Sequence, residues 1–284
     1  MDIDPAAPTG VNKARKVRTI AALAAQNRLA RAPITGAAPV AVSLTSYGKR
    51  LEIVGHAIES IARGPVRPRR MILWVSDDGF DLAAYPMLAR LEKRGLEILR
   101  SADFGPHKKS HPYIEAYAAD GLDLVTADDD IMYPQGWLAG LIAARRAHPG
   151  EFVGYRAKRV LLDAAGDLAP YAEWPGADVG ESGPRVFLTG GADVVFPQRL
   201  IAQMHEAGDS FTETCPRADD IWINVQALRA GVVTRRVPCR GFALSFPRSQ
   251  GEGALHTDNV GRGGNDRQLA ATLTPGDVDV LNAG

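Results

Sequence analysis

Cysteine is nearly missing from this chain: Cys215 and Cys239 are the two among 284 residues. A disulfide framework is not what holds such a protein together, and a reducing, cytoplasmic setting is the simpler expectation. No apolar stretch approaches the length of a membrane span, and no signal peptide is visible. Net charge is missing too, with Lys+Arg and Asp+Glu both 33. The overall balance therefore gives a nucleic-acid partner no support. Several nucleotide signatures are lacking as well: no Gly-Lys-Ser/Thr phosphate loop, no GxGxxG after the first expected strand, no GxSxG elbow, no CxxC pair and no internal repeat. The rest of the composition, 45% hydrophobic and 23% charged, is that of a globular chain long enough for a large core.

One local absence stands out. Between Pro5 and Leu51 there is no acidic residue, while Lys13, Arg15, Lys16, Arg18, Arg28, Arg31, Lys49 and Arg50 all fall there. Residues 11–31 are alanine-rich and favour a helix. Such a helix lies on an anionic membrane surface at the inner face, or is a solvated leader packing on a partner. Its mostly alanine apolar face buries little area, which favours the second reading.

After a Pro/Gly linker at residues 33–39, apolar runs and helical patterns alternate. Strands are expected at residues 40–45, 70–75, 96–99 and 122–127, with helices at 50–62, 82–94 and 110–119 between them. This order predicts an α/β fold with a mostly parallel sheet and helices on both faces. The second half reads as helix 135–146, short and partly antiparallel strands at 152–155, 160–162, 186–188 and 194–196, helix 217–229 and strand 232–237. These form a smaller mixed sheet. Residues 163–184 read as a loop over the site, and 249–284 as a Gly-rich tail or lid.

Ligands of parallel sheets bind beyond the carboxyl ends of the strands. Thr45-Ser46-Tyr47, Asp77-Asp78 and Asp128-Asp129-Asp130 all fall at such ends, and are expected to line one crevice. Three adjacent carboxylates after a buried strand repel one another unless something positive sits between them. A hard divalent cation that leaves positions for phosphates suits them. Asp103-Phe-Gly-Pro-His107-Lys108-Lys109 places lysine at a helix start, where a phosphate binds well, or is a solvated loop. Asp219 and Asp220 sit on the first turn of a helix, where a carboxylate takes a proton from a hydroxyl or simply complements the helix dipole. His256, Asn259, Asn265 and Asp266 lie in the expected tail. His256 completes a metal site only if that segment closes. The other histidines stand singly.

In this order the segments resemble the GT-A fold glycosyltransferases, especially bacterial enzymes of surface-polysaccharide assembly. The matching pieces are Val42-Ser-Leu-Thr-Ser-Tyr-Gly-Lys-Arg50, Trp74-Val-Ser-Asp-Asp78, Gly105-Pro-His-Lys108, Thr126-Ala-Asp-Asp-Asp-Ile-Met-Tyr-Pro134, Gly190-Gly191 and Ala218-Asp-Asp-Ile-Trp222. The resemblance implies a catalytic domain over residues 39–248, with 39–134 the nucleotide-binding half and 135–248 the acceptor half. Residues 1–38 precede it. It implies Mn²⁺ or Mg²⁺, a UDP- or GDP-linked sugar donor, and a glycan or lipid-linked glycan acceptor. Thr45 and Arg50 then lie against the nucleotide, Asp77 or Asp78 meets base or ribose, and Lys108 faces the diphosphate. Asp128 and Asp130 match the DxD pattern, the last acid ligating metal and the first touching ribose or metal-bound water, with Asp129 in the same cofactor set. Asp220 or Asp219 matches the catalytic base of inverting members, although this chain has Ala-Asp-Asp where the family has a Glu-Asp pair. His256 matches a C-terminal metal ligand.

Two rivals share the acids. A nucleotidyltransferase wants a Gly- and Arg/Lys-rich loop after the first strand, and residues 43–50 hold one glycine. A non-catalytic, metal-dependent carbohydrate-binding protein is the other, and the survival of both aspartate pairs argues against a dead copy.

Overall fold

The computed structural model describes residues 9–76, 79–190, 193–239, 244–246 and 263–284. Two compact bodies share the chain: one of residues 1–101, 128–140 and 239–249, the other of 102–127, 141–238 and 250–284.

The first body is a parallel α/β unit. Helix α1 (Thr9–Leu29) precedes β1 (Ala38–Thr45), α2 (Val54–Ala62), β2 (Pro68–Val75), α3 (Pro86–Glu92) and β3 (Leu96–Arg100). Strand β2 runs parallel to both β1 and β3, with Val42 opposite Met71 and Leu73 opposite Ile98. Val40, Ala41, Val42 and Leu44 are all buried. Such a strand reads as a continuous apolar run because helices cover both faces of a parallel sheet. In α2 the buried Val54, Ala57, Ile58 and Ile61 recur at helical spacing, the stripe that the sequence shows.

The basic segment is part of this body. Leu23 of α1 is buried with Met132 and Phe246. Asn27 and Gln26 donate to the two oxygens of Glu59 on α2 at 2.9 and 2.8 Å. The α1 residues Lys13, Arg15, Arg18 and Arg28 and the following Arg31 are exposed.

The second body holds α4 (His111–Tyr117), β4 (Asp123–Thr126), α5 (Trp137–Ala147, its first four residues in the other body), β6 (Phe152–Gly154), β7 (Ala157–Arg159), β8 (Val186–Leu188), β9 (Val194–Phe196), α6 (Gln198–Ala207), α7 (Phe211–Thr214), α8 (Asp219–Arg229) and β10 (Thr234–Arg236). Its strands run in the order β10-β6-β9-β4, with β10 parallel to β6 and β9 antiparallel to both neighbours. Strands β7 and β8 make the smaller antiparallel sheet. The α/β class, parallel pairing and small second sheet expected from the pattern are present.

Three local expectations differ from the structure. The strand expected at residues 160–162 lies instead at β7, just upstream. Helix α6 was not expected; its polar stretch follows Pro197, and Leu200, Ile201 and Met204 supply a narrow buried stripe. Residues 264–283 of the expected tail form two helices, Gly264–Thr272 and Pro275–Ala283, which bury Leu269 and Leu281.

Candidate active site

The acidic run is built into the first body by its neighbours. After Thr126 the chain turns through Asp128, Asp129 and Asp130 into the two-residue strand β5 (Ile131–Met132), which pairs with β11 (Leu244–Ser245). The Phe246 N–H donates to the Asp130 carbonyl at 2.8 Å. The Asp128 N–H donates to the Tyr133 hydroxyl at 2.7 Å, and the Tyr133 N–H donates to Ser60 Oγ on α2 at 2.7 Å. Buried backbone donors need such partners, so this relay sets the turn's position on α2.

Asp129 is 5% exposed, and both its oxygens are engaged. Ser46 Oγ donates to one at 2.7 Å and the Arg50 guanidinium to the other at 2.8 Å. Arg50 also lies 3.6 Å from Asp130 Oδ2, an ion pair without a hydrogen bond. Burial raises the Asp129 carboxyl above the ordinary range, although Arg50 and Ser46 pull the other way. Part of the positive charge that the three acids call for is thus supplied by the chain. Arg50 and Asp129, both assigned to the nucleotide by the resemblance, hold each other. Thr45 closes β1 with its hydroxyl on the Trp74 carbonyl at 3.2 Å. Ser46 was expected in the crevice only as part of Thr45-Ser46-Tyr47, and Tyr133 only within a matching piece, neither with a role of its own. The signal for Ser46 was its place beyond β1, facing the same end as the acids.

A second cluster lies in the other body, around Gly190. Lys109 Nζ is 3.1 Å from Asp219 Oδ2, and both side chains are 8% exposed. Lys109 also donates to the Gly190 carbonyl at 3.0 Å. The Gly190 N–H donates to Asp220 Oδ2 at 2.9 Å, and the Ile221 N–H to Asp220 Oδ1 at 3.0 Å. Burial first, and the charge of Asp219 second, push the Asp220 carboxyl up to about 6. Asn224, one turn along α8, accepts from the Leu188 N–H at 2.9 Å and donates to the Leu188 carbonyl at 2.8 Å. That clamp sets the turn after β8 against the start of α8. Gly190 has φ +80°, and a Cβ there would sit 3.0 Å from the Arg156 guanidinium, so glycine suits the position on both counts.

Lys108, the lysine expected to meet a diphosphate, is buried and pairs with Asp103 at 2.8 Å. Lys109 is the one on the aspartates. His107 stacks on Phe211 with ring centroids 3.9 Å apart and lies 2.8 Å from the Cys215 carbonyl. A carbonyl only accepts, so His107 Nε2 carries the proton. Asn265 is buried, and Asp266 accepts from the Tyr171 N–H at 2.7 Å, tying the first C-terminal helix to the 163–184 loop. Asp77, Asp78, Asn259 and His256 lie outside the described residues.

Among the described residues no three His, Cys, Asp or Glu side chains converge as a metal-ligand group. The acidic turn nevertheless has suitable donor chemistry. Two acids flank the engaged Asp129, and a hard cation needs only one or two carboxylates when phosphates and water complete its shell. Asp128 and Asp130 fit Mn²⁺ or Mg²⁺ in that manner.

No protein-family model matches the sequence, and a search of curated proteins finds no relative. Solved structures do match. The mannosyltransferase PcManGT from Pyrobaculum calidifontis, in complex with GDP-Man and Mn²⁺, aligns with a TM-score of 0.52 at 14% identity, over 96% of this chain and 78% of that one. TarS from S. aureus, residues 1–349, aligns with a TM-score of 0.50 at 12% identity, over 85% of this chain and 68% of that one. At such identities the likeness is one of fold, and it is the GT-A-like fold that the sequence resemblance implies.

Proposed function

We propose that this protein is a glycosyltransferase that moves a sugar from a UDP- or GDP-linked donor to a hydroxyl of a glycan or lipid-linked glycan, with inversion at the anomeric carbon. The observation that carries this reading is the acidic turn: an Asp run pinned by Ser60, Tyr133, Ser46 and Arg50, with a carboxylate on either side of the engaged Asp129. A solved structure of the same fold holds GDP-Man and Mn²⁺, which supports it.

Asp130 and Asp128 would hold the divalent ion, with His256 as a further ligand. When bound, the ion supplies charge neutralisation at the departing diphosphate. Thr45, Asp77 and Asp78 would contact the nucleoside, and Lys108 would reach the diphosphate only by giving up its pair with Asp103. Asp220, in preference to Asp219, removes the proton from the acceptor hydroxyl as its oxygen bonds to the anomeric carbon. The bond to the diphosphate oxygen breaks, and the nucleoside diphosphate leaves. Two amide donors keep the Asp220 carboxylate oriented, and its raised pKa makes it a better base than an exposed aspartate.

No helix of the described residues is long and apolar enough to cross a membrane. Contact with a lipid-linked acceptor would be peripheral, through the exposed basic residues of α1 at the inner membrane face.

The test is incubation with Mn²⁺ and a panel of nucleotide sugars. Slow release of UDP or GDP from one donor, faster with acceptor and lost in Asp130→Ala, is the expected result. No release from any donor, together with no nucleotide binding by calorimetry, would overturn the proposal.

A further inference from the structure

Arg50 makes two unequal contacts in the acidic turn. It is hydrogen-bonded to Asp129 at 2.8 Å, where Ser46 supplies the second bond. It stands 3.6 Å from Asp130, with charge attraction but no hydrogen bond. A guanidinium cannot shed its proton in a protein, so its charge stays whatever else binds. A divalent ion on Asp130 must therefore share that carboxylate with a fixed positive group a few ångströms away.

We propose that Arg50 and the divalent cation compete for Asp130, and that Asp129 is the anchor that restrains Arg50 rather than a ligand. This inference rests on the proposed metal role of Asp128 and Asp130. In it Ser46 and Asp129 are positioning residues. They hold the guanidinium on Asp129, 3.6 Å from Asp130, and so set how much of its charge Asp130 feels. The buried oxygens of Asp129 are both already bonded, which leaves them poor ligands. The polarisable, weakly held contact is the one to Asp130. Affinity for the ion is then tuned from outside the ligand set, by how tightly Asp129 keeps Arg50.

The competition has a signature that a simple ligand set lacks. Arg50→Gln removes the competing charge and is expected to tighten Mn²⁺ binding about three- to tenfold. Arg50→Lys keeps the charge and is expected to stay within roughly twofold to threefold of the parent. Asp129→Asn releases Arg50 toward Asp130 and is expected to weaken binding. In the Arg50→Gln background Asp129→Asn is expected to weaken binding by clearly less than it does in the parent, a coupling that additive effects cannot produce.

Mn²⁺ affinity of the full chain, measured by electron paramagnetic resonance and calorimetry with and without UDP or GDP, reads all four variants without turnover. Near-UV circular dichroism checks that each remains folded, and Arg50→Met, which also removes the charge, serves if Arg50→Gln does not fold. In that case tighter binding by Arg50→Met, with binding by Arg50→Lys near that of the parent, supports the competition. A loss of binding in Asp129→Asn that is just as large in the Arg50→Gln background makes Asp129 a ligand and overturns the inference, while sparing the metal site. A parent protein that binds no Mn²⁺ overturns both.

Discussion

Lys109 and Asp220 hold opposite ends of one residue: the lysine donates to the Gly190 carbonyl at 3.0 Å, and the aspartate accepts from the Gly190 N–H at 2.9 Å. The same lysine pairs with Asp219 at 3.1 Å. Two adjacent acids, one lysine and one glycine are thus linked in one electrostatic set. Burial and the repulsion between the two acids raise the Asp220 carboxyl, while the Gly190 N–H and Lys109 pull it down.

The set has a consequence for pH. A base works deprotonated, and the Asp220 carboxyl is pushed up to about 6, by burial foremost and by Asp219 next. Activity should therefore fall as pH drops through about 6, well above the range of an exposed aspartate. The midpoint belongs to the Asp219–Asp220 pair, since neighbouring acids share their titration. Lys109 lowers this value, so Lys109→Met should move the acid limb to higher pH, and Lys109→Arg should return it. Removing the lysine also leaves Asp219 buried without its partner, at a cost of about 3–5 kcal/mol. The profile of kcat/KM against pH reads the free enzyme. A limb near pH 4 that Lys109→Met leaves in place would show that Asp220 is not the base.

Much of the first body was legible because its strands are buried on both faces and spell continuous apolar runs, as residues 40–45 and 70–75 do. The acids were legible as a run after such a strand. Their partners were not. Arg50 lies 79 residues from Asp129, and nothing local marks the pairing. Lys108 and Lys109 are adjacent on one short turn. Which of them meets Asp219 is decided by the packing of that turn in the second body. The C-terminal helices were hidden by the glycine-rich stretch before them, yet one signal was present. Thr274 and Asp277 form a reciprocal capping box, with Pro275 at the first helical position.

His107 makes the second body sensitive to acid. It is buried, and burial lowers its pKa to about 4 against the attraction of Asp219 and the Cys215 carbonyl. In the unfolded chain the same ring takes a proton near the ordinary histidine value of about 6.5. The unfolded state thus binds more protons between those values. Stability is full above about 6.5 and is lost as pH falls toward about 4, by about 3 kcal/mol in total. Urea unfolding at pH 7, 5.5 and 4.5 measures this. His107→Phe retains the stacking surface toward Phe211, loses the hydrogen bond to Cys215, and should be less stable at pH 7 but flatter across the window. Parallel pH curves for the two proteins would mean that His107 is not the group responsible.

Glu59 decides whether α1 is an appendage or a part of the body. Its carboxylate is fully buried, and it pairs with Arg94 while accepting from Gln26 and Asn27 of α1. Arg90 in turn donates to Asn27 Oδ1 at 2.6 Å. A buried pair of this kind is costly to break from one side, because the surviving charge keeps its desolvation penalty. Glu59→Ala should therefore cost about 3–5 kcal/mol, and deletion of residues 1–31, which also uncovers the space filled by Leu23, should lower Tm by several degrees or more. The outward side of the same helix should behave differently. Arg18 and Arg28 are exposed there, and reversing both to glutamate should change stability by under about 0.5 kcal/mol. Chemical unfolding of the three proteins separates the two faces. If the deletion unfolds at the parent's midpoint, the contacts to Glu59 contribute nothing net, and α1 is a passenger.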